Sequence, residues 1–234
     1  FDRNYLRSTI MPLLKDRWPE VVPQMVTVAK LQSNNLRVLD DMAAIDLANV
    51  SAVSRPDFQA FSYDILSMLS LDGLMQLASA RLLNLLRYWI TQTVGAPTRN
   101  LLSEIERGLV HSQDDANPVI EFSGFQFRKY QGVFYLLQSK QLEADSLSKS
   151  SVTNWQPSLT PLVNIAGLQL QVTQLETGGI KPSLVDKEFT FRFRQGGERF
   201  HPSNRNHSQS LKKLLQETGV PPWERDGIPL LYHG

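Results

Sequence analysis

Residues 189–199, FTFRFRQGGER, carry the clearest structural signal in this sequence of 234 residues. Phenylalanines alternate with polar residues, and this period of two is typical of a β-strand with one buried face. Arg192 and Arg194 are therefore predicted to lie on the face opposite the core, and Gln195-Gly196-Gly197 to turn the chain. The residues predicted to be buried are Phe189, Phe191 and Phe193.

A short helix is predicted after this turn. Ser208 is a suitable N-cap, and leucines at positions 211, 214 and 215 form the face predicted to be buried. Gly219 ends the helix, and residues 228–232 predict a last strand at a sheet edge. Alternating residues between 161 and 179 predict further strands. These elements predict a small mixed α/β domain with a mostly antiparallel sheet over residues 161–234.

The preceding part of the chain has mostly helical periodicity. Residues 1–19 predict a helix interrupted at Pro12, and residues 20–56 predict one long connecting helix. Residues 57–112 are predicted to continue as helices, with Thr98 as an N-cap, before a small β meander. The predicted units are a helical domain with this meander at 57–137, a linker at 138–160 and the C-terminal domain at 161–234. The predicted fold class of the whole chain is α+β.

The composition limits the class of protein. Apolar residues make up 41% and charged residues 20%, which is ordinary for a globular chain. The absence of cysteine excludes a disulfide scaffold, a thiol nucleophile and a thiolate metal site. No apolar run approaches the roughly 20 residues that span a bilayer, so a cytoplasmic protein without a membrane partner is expected. The chain starts with Phe1 and not with Met, and we expect it to be a fragment.

The net charge of +1 conceals a basic segment near the C-terminus. Between residues 192 and 213 there are six basic residues against the single acidic Glu198, which leaves 18 basic and 22 acidic residues elsewhere. Such a local excess indicates a surface for a polyanion, although a solvated charged loop has the same composition. The basic residues are Arg192, Arg194, Arg199, Arg205, Lys212 and Lys213.

The same segment suggests how phosphates could be held. One guanidinium group can bind two oxygens of the same phosphate at once, and lysines add positive charge. Gly196 and Gly197 are candidates to expose backbone N–H groups beside these cations, but a tight turn after the strand is the favoured interpretation. Trp223 is a candidate for stacking on a base, but packing at a core edge is the favoured interpretation. For Arg225, pairing with Asp226 or Glu224 is the alternative to an RNA contact.

No catalytic motif is found in the sequence. It has no phosphate-binding P-loop, dinucleotide-binding glycine pattern, HExxH motif or nucleophile elbow, and no metal site is predicted. The adjacent carboxylates Asp40-Asp41 and Asp114-Asp115 do not converge on one point, so no general acid and base pair is predicted from them.

Several ordered stretches resemble the tRNA(Ile)-lysidine synthetase family. RQGGER at 194–199, SLKKLLQE at 210–217 and VPPWERD at 220–226, followed by Pro229-Leu230, are similar to its C-terminal domain. LRYW at 86–89, GAP at 95–97, DANP at 115–118 and RKYQG at 128–132 with Tyr135 resemble its helical substrate-binding domain. RNYLR at 3–7, with Ile10 and Pro12, looks like the end of its catalytic domain, which assigns residues 1–19 to that domain.

The resemblance implies a function for the intact enzyme. Members use ATP with Mg²⁺ to adenylate the wobble cytidine in the CAU anticodon of a minor isoleucine tRNA, and the lysine amine then displaces AMP to leave lysidine. The family's S-G-G-x-D-S nucleotide loop does not occur in this sequence. The chain alone is therefore expected to hold no catalytic residue, to bind no cofactor and to be inactive, with ATP and lysine bound by a missing catalytic domain.

The resemblance also implies roles for parts of this chain. The helical domain would support the anticodon region of the tRNA and the C-terminal domain would grip its acceptor stem. Arg3 and Arg7 would lie at the rim of the active site, although two surface arginines four positions apart have the same spacing. The further candidates for tRNA contact are Arg87, Arg99, Arg128, Lys129 and Arg225. A homodimer is a further expected assembly, and a stand-alone, non-catalytic RNA-binding or interaction module is the alternative reading.

Overall fold

The computed structural model describes residues 2–51, 60, 62–110, 118–140, 153–165, 168–173, 179, 181–202 and 206–233. Helices dominate the first half of the chain, and small antiparallel sheets dominate the second. The predicted α+β class is therefore confirmed.

Helices form the N-terminal 50 residues. Helix α1 (Asp2–Tyr5) continues through a π-helical turn (Leu6–Ile10) into α2 (Met11–Arg17), whose first turn contains Pro12. Proline is tolerated there because the first N–H groups of a helix have no partner within the helix. The interruption predicted at Pro12 corresponds to the change from the π-helical turn to α2, without a break in the helical path. Helix α3 (Val21–Val50) shows a long helix in the region predicted at 20–56, but it ends at Val50, with Ser51 as its C-cap.

The C-terminal half of α3 is fastened to the next helical layer by polar contacts. Asp46 is buried and forms an ion pair with Arg81, while Asp40 pairs with Arg87. The amide of Asn84 donates to the carbonyl oxygen of Leu39 over 2.6 Å. A buried carboxylate requires such a partner, since an unpaired charge away from water is costly.

A four-stranded antiparallel sheet lies beside these helices. Its strands are β1 (Tyr63–Ser70), β2 (Ile120–Phe122), β3 (Phe125–Tyr130) and β4 (Val133–Ser139), in the order β1-β4-β3-β2. The predicted meander corresponds to β2–β4. The prediction of helix throughout 57–112 is wrong at β1, because Tyr63–Ser70 pairs antiparallel along β4. This partner is more than 60 residues away in the chain, so local periodicity does not reveal it.

Short helices cover one face of this sheet. They are α4 (Leu71–Met75), α5 (Ser79–Thr93) and α6 (Arg99–Ile105), and a π-helical turn (Glu106–Val110) follows them. The oxygen of Thr98 accepts from the N–H of Leu101, which confirms the predicted cap. Trp89 of α5 packs against Phe127 and Phe134 of the sheet, with ring centroids 6.1 and 5.6 Å away. These aromatic rings form the centre of the first core.

A second core lies in the C-terminal domain. Strands β5 (Thr153–Trp155), β8 (Phe189–Phe193) and β11 (Pro229–Tyr232) form an antiparallel sheet in the order β11-β8-β5. The three phenylalanines of β8 are buried against Trp155 and Ile165, as predicted, and β11 is an edge strand. β5 lies inside the predicted linker 138–160, so the linker prediction is wrong for residues 153–155.

Smaller elements complete the C-terminal domain. They are the strand pairs β6 (Leu162–Ile165) with β7 (Leu168–Gln171) and β9 (Arg199–Phe200) with β10 (Gln209–Ser210), and the helix α7 (Leu211–Glu217). Ser210 caps α7 by accepting from the N–H of Lys213. The predicted N-cap Ser208 is therefore wrong by two residues, because β10 occupies the intervening positions. The leucines of α7 are half-buried and line an open cleft of about 620 Å³ between this helix and β11.

Replacing Phe191 by alanine should lower the free energy of unfolding by about 3–5 kcal/mol, because the missing ring leaves a cavity in the second core. Urea unfolding of the variant measures this loss. Phe200→Ala is the matched control: its ring is 56% exposed, and the expected change is within about 0.5 kcal/mol. Equal effects of the two substitutions would show that Phe191 is not a core residue.

Candidate nucleic-acid interface

Four of the predicted phosphate-binding cations are exposed on consecutive elements of the C-terminal domain. Arg192 lies on the outer face of β8, where its guanidinium stands over the ring of Tyr232 at 5.3 Å. Arg199 of β9 donates to the backbone oxygen of Ser208 at 2.9 Å. Lys212 and Lys213 begin α7, directly after the strand that pairs with Arg199. We call Arg192, Arg199, Lys212 and Lys213 the basic surface. Arg205 lies outside the described residues.

The turn predicted between β8 and β9 is present. Gly196 and Gly197 have φ angles of +99° and +83°, a region that L side chains rarely adopt. The backbone N–H groups of Gln195 and Gly196 point to one place, and a side chain of the same turn occupies it. The carboxylate of Glu198 accepts both, over 2.5 and 2.7 Å. The candidate N–H cradle therefore exists, and it holds an anion from its own chain.

Arg194 is also engaged with carboxylates. Its Nε lies 3.6 Å from Oε2 of Glu198, and its Nη1 lies 3.4 Å from Oδ1 of Asp226. The side chains of Arg194 and Glu198 are each 15% exposed. Burial by itself raises the pKa of Glu198, but the backbone N–H groups of Glu198, Gln195 and Gly196 and the charge of Arg194 outweigh it, and the pKa is lowered. Glu198 is therefore an anion in this turn.

Trp223 lies at a junction between the C-terminal domain and the four-stranded sheet. The guanidinium of Arg128 lies between two rings, 5.2 Å from the centroid of Trp223 and 5.3 Å from that of Tyr63. Trp223 also meets Tyr130 and Tyr135 edge-on, at 6.0 and 5.5 Å. The interpretation of Trp223 as a packing residue is therefore confirmed, with partners in the neighbouring sheet.

The residues next to Trp223 reinforce this junction. Arg225 is 6% exposed, and its guanidinium donates to the oxygen of Val220 at 2.9 Å and to the hydroxyl of Tyr130 at 3.1 Å. Glu224 is 1% exposed, and its Oε2 accepts from the N–H of Ser62 at 2.8 Å. Burial raises the pKa of Tyr135 to about 12, helped by the charge of Tyr130, so this ring stays neutral at ordinary pH.

The predicted tRNA-binding residues thus separate into two groups. The first is the exposed basic surface, and the second makes contacts within the fold. Arg225 and Lys129 are buried, Arg128 is half-buried between aromatic rings, and Arg87 pairs with Asp40. These four cations make contacts within the fold, and their contact with tRNA stays a prediction. Strand alternation and motif position do not show which surface a later segment covers, so the sequence did not reveal these internal contacts.

Arg3, Arg7 and Arg99 lie apart from both groups. All three are exposed on helical segments, with Arg3 and Arg7 four positions apart at the N-terminus. Their predicted roles stay predictions. Sequence reasoning missed Tyr63, Tyr130 and Glu198; the stretch RKYQG at 128–132 marked the right region, but was interpreted as an RNA contact.

The residues that the structure describes hold neither a cluster of metal-ligating side chains nor a helix that could span a membrane. In that part of the chain, no three His, Asp or Glu side chains come together as ligands for a metal ion. None of its helices has the length and apolarity required to cross a membrane.

Tyr130→Phe should destabilise the protein by about 1–3 kcal/mol, because it removes an acceptor from the buried guanidinium of Arg225. Urea unfolding measures the effect. Tyr5→Phe deletes the same hydroxyl from a 60% exposed ring and should be neutral. If Tyr130→Phe is also neutral, the contact with Arg225 does not stabilise the junction.

Comparison with known proteins identifies the two halves of this arrangement. The family model described as "TilS substrate binding domain" matches residues 69–135, and that described as "TilS substrate C-terminal domain" matches residues 189–234. The first covers the helices α4–α6 and most of the four-stranded sheet. The second covers β8, the Glu198 turn, the basic surface and Trp223.

Three similar proteins are each named tRNA(Ile)-lysidine synthase. They come from Coxiella burnetii, Escherichia coli O157:H7 and Shigella flexneri, and are 34%, 32% and 31% identical to this chain. Each alignment covers 100% of this chain but only 49–50% of the relative, so the chain spans about half the length of these relatives. Over its whole length this chain is thus similar to about half of each tRNA(Ile)-lysidine synthase, and it matches the substrate-binding and C-terminal domain models of that family in order.

Proposed function

We propose that this chain is the tRNA-recognition portion of an ATP-dependent ligase that converts the wobble cytidine of a minor isoleucine tRNA, with the anticodon CAU, into lysidine. One observation carries the proposal: both substrate-recognition domains of the family lie in order on a chain whose second domain exposes the basic surface. Cations that contact phosphates position an RNA without reading its sequence, which suits a domain that grips a stem.

The junction gives this grip a fixed geometry. A single tRNA that contacts both domains requires them to keep a constant separation, and the contacts of Trp223, Glu224 and Arg225 with the four-stranded sheet supply such a constraint. In this proposal the helical domain supports the anticodon region and the C-terminal domain holds the acceptor stem.

The chemistry itself belongs, in this proposal, to the part of the enzyme that the chain does not span. ATP with Mg²⁺ would activate the cytidine there, and lysine would complete the reaction. Arg3 and Arg7, exposed at the N-terminus, are proposed to lie at the rim of that active site. The intact enzyme is proposed to be cytoplasmic, where its tRNA substrate is.

Two further hypotheses concern a stand-alone module and a homodimer. A stand-alone RNA-binding module is less well supported, because the three relatives are about twice as long as this chain. A homodimer is proposed in addition, since α3 exposes apolar side chains such as Met25, Val28 and Leu31. Sedimentation at several concentrations tests the dimer.

Binding of the chain to unmodified isoleucine tRNA (CAU) and to elongator methionine tRNA, titrated with salt, tests the proposal. Tighter binding to the isoleucine tRNA with a steep dependence on salt is expected, because several phosphates would be neutralised. Weak binding without preference would contradict an independent recognition role for these domains.

Lys212→Ala should weaken tRNA binding and reduce the slope of log K against log salt by roughly one unit, the effect of one lost phosphate contact. Lys30→Ala removes the same charge from an exposed position on α3 and should leave the slope unchanged. Identical slopes for all three proteins would remove Lys212 from the RNA interface.

A further inference from the structure

The turn at residues 194–198 has the construction of an anion-binding site. Two successive backbone N–H groups converge on one oxygen, and the positive φ angles of Gly196 and Gly197 produce this geometry. Concave sites of this kind attract anions because the N–H dipoles point at one place. The guanidinium of Arg194 stands beside the site, in contact with both Glu198 and Asp226, and adds positive charge to it.

The Glu198 carboxylate occupies this site, but only one of its two oxygens accepts hydrogen bonds there. One oxygen takes both N–H groups, but the other lies 3.6 Å from Nε of Arg194, beyond hydrogen-bond distance. Both atoms of that pair, Nε of Arg194 and Oε2 of Glu198, are buried and have no hydrogen-bond partner. Buried polar atoms without partners are rare because each forfeits its hydrogen bond to water, so the closed turn is a costly arrangement.

The filled site lies in the middle of the basic surface. Arg192 lies in β8, Arg194 follows the last residue of that strand, and Arg199 follows Glu198 directly. The backbone oxygen of Glu198 accepts from the N–H of Leu211 at 2.9 Å, which places the turn beside the start of α7 and its two lysines. A polyanion lying across these cations would pass over Glu198.

We propose that a phosphodiester group of the bound RNA displaces the Glu198 carboxylate from this turn, so that Glu198 is an internal competitor of the substrate. One phosphate oxygen would accept from Gln195 and Gly196, and a second would accept from Nε of Arg194. The identity of the ligand as RNA rests on the function proposed above; the anion site itself does not.

The competition has a consequence for selectivity. A small isolated anion must displace a carboxylate that belongs to the same chain and is always present. Its net binding free energy is therefore small. An RNA that also contacts Arg192, Arg199 and the lysines of α7 has additional binding energy with which to displace it. Glu198 would thus weaken the binding of anions that touch this turn alone.

Glu198→Gln is the decisive variant, because the amide oxygen can still accept from the turn while the competing charge is gone. We expect isoleucine tRNA to bind it roughly 3–10-fold more tightly than wild type, a range set by one charge-assisted contact. Glu188→Gln is the matched control: it removes the same charge from an exposed position of this domain. Any increase in the tRNA affinity of Glu188→Gln reflects only long-range electrostatic attraction, which salt screens.

The gain must also depend on Arg194. In a protein that also carries Arg194→Ala, Glu198→Gln should increase the affinity for isoleucine tRNA no more than Glu188→Gln does. A Glu198→Gln protein that melts like wild type but binds no more tightly than Glu188→Gln overturns the proposal. So does a gain that persists without Arg194.

A second measurement separates this proposal from the proposed function. Inorganic phosphate is titrated into Glu198→Ala while the amide resonances of Gln195 and Gly196 are followed by NMR. Saturable shifts in these two amides, absent in wild type at the same concentrations, support the anion site even if the chain fails to bind tRNA. If these amides of Glu198→Ala do not shift with phosphate, the proposed anion site is wrong. That conclusion holds even if Lys212→Ala shows that RNA binds elsewhere on the basic surface.

Discussion

The ring of Trp223 against the guanidinium of Arg128 is the contact on which the arrangement of this chain depends. It joins a segment near the C-terminus to a sheet built some 90 residues earlier. Because the ring of Tyr63 also contacts the same guanidinium, one cation holds strands β1 and β3 and the C-terminal domain together. The next two residues, Glu224 and Arg225, are buried at the same junction.

This junction divides the positive charges of the protein into two kinds. Arg225 satisfies its donors within the protein, as a buried guanidinium must, and has no room for an external anion. The cations of the basic surface keep their charge towards solvent. Arg194 is intermediate, since it is held between Glu198 and Asp226 at the edge of that surface. A substitution at an arginine of this chain therefore removes either a contact inside the fold or a positive charge from the surface, according to its position.

The two cores are small, and each is organised around a tryptophan. Trp89 packs on Phe127 and Phe134 in the first, and Trp155 on Phe189 and Phe191 in the second. A domain of this size buries little surface, so the contacts between domains are a considerable share of its stability.

The sequence by itself determined the elements that depend on neighbours along the chain. Alternation placed Phe191 in a core, and Thr98 and Pro12 marked the start of their helices, because caps and strand faces are set by adjacent residues. Only the tertiary structure decided what Arg128, Lys129 and Arg225 do, and that Glu198 fills its own turn. An exposed and a buried arginine have the same local pattern, and what separates them is a partner from a distant part of the chain.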